Sequence, residues 1–121
     1  MKRLSILFSL FIGLVLSQSL WAYKESDLQK LLKTNRCEKC DLSGANLEGA
    51  NLTEAILFEA ILSEAILTKA NLTDATLTGA NLRWVDLNAA NLTDATLTKA
   101  NLEGAQLAKA NLDGANLSGA N

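Results

Sequence analysis

The chain has 121 residues, 11 basic and 13 acidic side chains, neither histidine nor proline, and a formal charge of −2. That length leaves room for one small domain, and that charge excludes a strongly basic nucleic-acid surface. Leucine, alanine and asparagine dominate while aromatics make up 5%, a bias that points to a repeat and away from a mixed globular core.

Residues 1–22 read as a secretory signal peptide. Lys2 and Arg3 precede an apolar run from Leu4 to Leu16, and a polar stretch then closes on Leu20, Trp21 and Ala22. A spanning helix needs about 20 residues, more than this run supplies, so cleavage after Ala22 is expected, with an uncleaved membrane anchor as the alternative. Loss of Lys2 and Arg3 leaves 9 basic and 13 acidic side chains, a net charge of −4. No membrane contact is expected after cleavage.

Residues 23–39 are expected to form a capping helix followed by a Cys-X-X-Cys stretch. Ser26 and Gln29 have the spacing of a capping box, and Leu28, Leu31 and Leu32 make one apolar stripe. A short helix of that kind would plug the N-terminal end of the core that follows.

Residues 40–121 form the repeat. Leucine recurs every five residues at Leu42, Leu47, Leu52, Leu57, Leu62, Leu67, Leu72, Leu77, Leu82, Leu87, Leu92, Leu97, Leu102, Leu107, Leu112 and Leu117. On an α-helix a step of five rotates about 140°, and on a strand an odd step alternates faces, so neither element collects these leucines on one side. Alanine stands two residues before each leucine from Ala45 to Ala115, with Val85 as the one substitution and Cys40 in the slot before Leu42. Leucine and alanine are therefore the inward pair of a coil built from five-residue units. The segment NLTDATLT at 71–78 returns at 91–98, which sets four units to a turn. About four turns follow, and at the β-ladder spacing of ~4.8 Å they make a rod about 20 Å long.

Counting back in fives puts Cys37 in a leucine slot and Cys40 in an alanine slot, so both thiols face inward. In an exported chain the simplest reading is a structural disulfide between Cys37 and Cys40. Buried free thiols are the alternative. A redox site would want an exposed thiol at a helix N-terminus, and zinc would want further nitrogen or sulfur ligands that a chain without histidine lacks.

The units ANLEG, ANLTE, ANLTD, ANLRW and ANLDG resemble the A(D/N)LXX signature of the pentapeptide-repeat family, over about two thirds of the chain. The stretch LQKLL…CEKCDLSGANL is similar to the start of exported cyanobacterial members. The resemblance implies an all-β protein, a right-handed quadrilateral β-helix, to which the residues themselves add about four coils and a short N-terminal capping α-helix.

Residues 20 apart stack into outward columns. Asn51, Asn71, Asn91 and Asn111 make a column of amides, expected to bond along the rod. Glu54, Asp74 and Asp94 make an acidic row with Asp113 nearby, but a convex face offers no cleft to split their pKa values, so no catalytic residue is expected there. Apolar residues break the pattern elsewhere. Ile56, Ile61 and Ile66 replace the usual Asn or Asp, Phe58 follows a leucine, and Trp84 holds a corner. These five are the candidate interaction patch.

The expected function is thus a non-catalytic structural or protein-interaction module in an extracytoplasmic space, the periplasm or thylakoid lumen, with an unknown protein partner and without cofactor, metal or nucleic acid. Self-association through an uncapped C-terminal coil is expected as well. Two alternatives stand beside it. Gyrase-protecting relatives imply an acidic DNA mimic acting on a nucleic-acid enzyme, and Cys37 with Cys40 would serve a thiol redox protein.

Overall fold

A computed structural model describes residues 23–121; the stretch read as a signal, 1–22, lies outside the described residues. The first element is helix α1, Glu25–Thr34, with Glu25 and Asp27 in its first turn and Lys33 in its last, each suited to the helix dipole. Leu28 and Leu31 are its buried face.

The helix begins before the expected Ser26 cap. Lys24 is the N-cap and makes no side-chain cap bond; its carbonyl accepts from the N–H groups of Asp27 (3.0 Å) and Leu28 (3.1 Å). Gln29 does not complete a capping box but donates from Nε2 to Glu25 Oε1 at 2.9 Å. The cause is tertiary: the Lys24 N–H donates to the Asp41 carbonyl at 3.0 Å, and Asp27 Oδ2 accepts from the Asp41 N–H at 2.8 Å. Those two bonds fix where the helix starts, overriding the local signal. At the other end Asn35 is left-handed with φ 58°, its N–H bonded to the Leu31 carbonyl at 2.8 Å, an asparagine version of the usual helix stop. Its Nδ2 reaches the Thr53 carbonyl at 2.7 Å, so the stop also anchors α1 to the repeat.

From Arg36 onward the chain coils on itself. Parallel bridges run from Arg36 with Ile56 to Thr96 with Asn116, every one joining residues 20 apart, so four units make one turn. The ladder begins at Arg36, four residues ahead of the expected boundary at residue 40. No long strand appears because each unit holds one bridging residue, an inward leucine, two turn residues and an inward alanine.

That economy leaves no backbone donor idle in a regular unit. In residues 71–75, Asn71 N–H bonds back to the Ala50 carbonyl (2.9 Å), Leu72 forward to Asn91 (2.7 Å) and Asp74 forward to Thr93 (2.9 Å), while Ala75 closes the turn on Leu72 (3.0 Å). The fifth, Thr73 N–H, is taken by the Asn71 side chain at 3.1 Å. Buried backbone groups must be paired, and here five residues pair all five. The turn requires a left-handed residue at its third position, and Asp74 supplies it with φ 58°.

The core is one cluster. Leu42 through Leu97, the intervening alanines, Val85, Cys37 and Cys40 are buried together with Leu28 and Leu31 of α1. In the last coil the ladder opens: Leu102, Leu107 and Leu112 are partly buried and Leu117 is 39% exposed. No helix among the described residues is long and apolar enough to cross a membrane.

Candidate interaction surface

Two outward residues flank each leucine, and their chemistry follows from the turn. Where the residue before the leucine is Asn or Asp, its side-chain oxygen bends forward to the N–H two residues on. Asn91 Oδ1 accepts from the Thr93 N–H at 3.1 Å and the Thr93 hydroxyl at 2.6 Å; Asn51 and Asn71 do the same with Thr53 and Thr73. The asparagine column therefore spends its oxygens within each unit, not along the rod. An Asx turn of this kind satisfies a donor that the coil itself cannot reach.

Residues 51–70 depart from that rule on three consecutive sides. Ile56, Ile61 and Ile66 bridge to Arg36 and Thr76, to Asp41 and Asn81, and to Asn46 and Asp86. An isoleucine has no acceptor, so the outward N–H groups of Phe58, Ser63 and Thr68 have no partner among the described residues. Thr78 and Thr98 share that open donor, but threonines stand beside them. Among the described residues, only the 51–70 coil joins three open donors to apolar side chains. Phe58 and Ile61 are each 38% exposed and Ile66 40%, while Ile56 is half-buried.

The corners of this coil are charged. Glu54, Glu59 and Glu64 occupy left-handed positions with φ 59°, 53° and 60°, and Lys69 follows with φ 61°. Glu59 pairs loosely with Lys39 at 3.5 Å. The break in the repeat was visible in the sequence. Its consequence for the turn donors was not, because that depends on which way the preceding oxygen points.

Trp84, the fifth member of the expected patch, leans toward the following coil. It is 55% exposed, and its six-membered ring fills the space over Gly104, where an added Cβ would lie 2.6 Å from Cδ2. Gly104 is one coil onward, whereas Ile61 and Ile66 lie one coil back. The direction follows from room: Gly104 carries no side chain, while Glu64 occupies the same corner on the other side. Arg83 Nε and Glu103 Oε2, 3.0 Å apart, form an ion pair beside this step.

The acidic row is a corner column. Glu54, Asp74 and Asp94 are all left-handed, and the next member is Gly114, with Asp113 beside it. The Asp94 carboxylate lies over Gly114 as the Trp84 ring lies over Gly104. Among the described residues no three His, Cys, Asp or Glu side chains converge on a metal-sized site.

Cys37 and Cys40 are joined by a disulfide, with Cα atoms 5.2 Å apart, and both are buried. The Cys37 sulfur sits 3.1 Å from the Asp27 carbonyl oxygen, directly beneath α1. Tyr23, ahead of the helix, packs against the core; its phenol is pushed up to about 12, first by burial and then by the nearby Glu25 carboxylate.

A family model described as pentapeptide repeats matches residues 36–74, 55–94 and 86–121. Among solved structures, HetL, a pentapeptide repeat protein involved in heterocyst differentiation regulation from the cyanobacterium Nostoc sp. strain PCC 7120, is 42% identical over 70% of this chain, with a TM-score of 0.69. The match spans only 39% of HetL. A pentapeptide repeat protein from the cyanobacterium Cyanothece 51142 is 30% identical, the match covering 78% of this chain and 92% of that one at a TM-score of 0.48. One from the Arabidopsis thaliana thylakoid lumen is 34% identical over 74% of this chain and 67% of its own, at 0.44. Comparison with curated proteins finds no match.

Proposed function

From the premise that the chain belongs to the pentapeptide-repeat family, whose members are right-handed β-helices and generally interaction modules without catalytic activity, we propose that it is a protein-binding rod working outside the cytoplasm. In this reading four square coils follow a plug formed by α1, and residues 1–22 direct export and are then removed. The Cys37–Cys40 bridge suits such an oxidising compartment. The observation that carries the binding role is the irregular coil at 51–70. It exposes Phe58, Ile61 and Ile66 beside backbone donors without a partner among the described residues, and repeat proteins commonly bind partners along such side faces.

Affinity capture from the native extracytoplasmic fraction tests this. A set of proteins retained by the parent chain and lost by a folded Ile66→Asp variant supports it. Identical sets from both would remove the patch from consideration.

A further inference from the structure

The occupant of the 51–70 coil can be specified by chemistry, given the binding role just proposed. We infer that it takes an extended segment of a partner protein carrying basic and apolar side chains. Three features on the same coil ask for that combination.

The first is the open donors. The Phe58 and Ser63 N–H groups have no acceptor among the described residues on the two neighbouring sides that meet at Glu59, and Thr68 repeats the arrangement on the third. The group that matches backbone N–H donors set beside apolar side chains is a backbone carbonyl, the acceptor used in recognition by added strands. A carboxylate or phosphate would also accept these bonds, but it would have to approach between glutamates.

The second feature is that charge. Glu54 and Glu59 bracket the side bearing Ile56 and Phe58, and Glu59 and Glu64 bracket the side bearing Ile61. Lys69 lies beyond both. Lys39 reaches Glu59 only at 3.5 Å, with both side chains well exposed, an ion pair of a kind that contributes little and that an incoming cation readily displaces. Arginine or lysine on the partner is therefore steered to the corners while anions are repelled.

The third is apolar. Phe58 and Ile61 stand between those corners, so the partner's side chains that turn toward the rod are apolar and the alternate ones are basic.

Neighbouring coils show how the site can be erased without disturbing the fold. Asn81 and Asp41 already occupy the positions on either side of Ile61, so Ile61→Asn places in this coil a residue its neighbours accept. It should bend its oxygen onto the Ser63 N–H and close the donor.

The test uses the full 121-residue chain, isotopically labelled, titrated with an eight-residue peptide of alternating lysine and leucine. Matched peptides of glutamate and leucine, and of lysine and serine, serve as controls. The amide resonances of Phe58 and Ser63 should move and saturate with the lysine–leucine peptide only. Its affinity should fall at least tenfold in Ile61→Asn and in the triple Glu54→Gln, Glu59→Gln, Glu64→Gln variant, both melting with the parent's cooperativity. Equal binding of the lysine–serine peptide, shifts spread evenly over Asp74 and Asp94, or no saturable shift would each overturn the inference. If Ile66→Asp still loses its captured partners after such a result, the binding role survives and only this partner chemistry falls.

Discussion

The six-membered ring of Trp84 occupies the place where a β-carbon on Gly104, one coil onward, would stand. Gly104 also has φ +71°, a conformation that costs little only without a side chain. Gly104→Ala therefore meets two penalties, a left-handed alanine and a displaced indole. It should lower stability by about 1 kcal/mol or more and red-shift the Trp84 emission as the ring swings into water. An unchanged spectrum would mean that the ring does not rest on this glycine.

Position along the ladder should decide the cost of losing a leucine. Leu72 is fully buried and Leu117 is 39% exposed. Leu72→Ala should cost about 2 to 5 kcal/mol through lost burial and the cavity it leaves, whereas Leu117→Ala should cost about 1 kcal/mol, since much of that side chain already meets solvent. Urea unfolding of the two variants checks the ordering, and equal losses would contradict a closed core with one open turn.

How much of this was legible beforehand varied with the distance over which each feature is decided. The five-residue leucine period needs no neighbour to be read, and it identified both the coil and its inward pair. The helix start did not follow from Ser26 and Gln29, because the bonds between Lys24, Asp27 and Asp41 join segments 14 and 17 residues apart. Stacking at 20 residues was readable, and so Trp84 was assigned its corner. The direction of its ring was not, since that depends on the missing side chain at 104. Likewise the asparagine column was recognised as a column, but its oxygens turn into their own units, a choice set by local turn geometry.

The Asx bonds themselves are testable. Asn71→Ala removes the acceptor for the Thr73 N–H and hydroxyl, and a partly exposed bond of this kind is worth about 1 kcal/mol. The same loss has already occurred at Ile61, where burial of much of an isoleucine contributes about 1 to 2 kcal/mol in its place. Ile61→Asn should thus leave stability within about 1 kcal/mol of the parent. A loss well beyond that would make the isoleucine structural.

Reduction of the Cys37–Cys40 bridge should lower stability by about 2 kcal/mol, the loop-closure effect expected of so short a sequence separation. Equilibrium unfolding with and without reductant measures it. Coincident curves would show that the bridge adds nothing to the core beneath α1.

Tyr23 is the only tyrosine in the chain, so absorbance at ~295 nm reports it alone, free tyrosine titrating near 10. Burial holds its phenol neutral to about 12. The folded-state value is the higher one, so the contribution is complete below the ordinary value of 10 and is lost as pH climbs toward 12. A phenolate midpoint near 10 would mean that Tyr23 is not packed against the core.

At the centre of the account, the 51–70 coil exchanges local turn bonds for an outward face able to bind a partner. Native-state amide hydrogen exchange reads that directly. The N–H groups of Phe58, Ser63 and Thr68 should exchange faster than those of Thr53, Thr73 and Thr93, which donate to asparagine oxygens. Equal protection across both sets would contradict it.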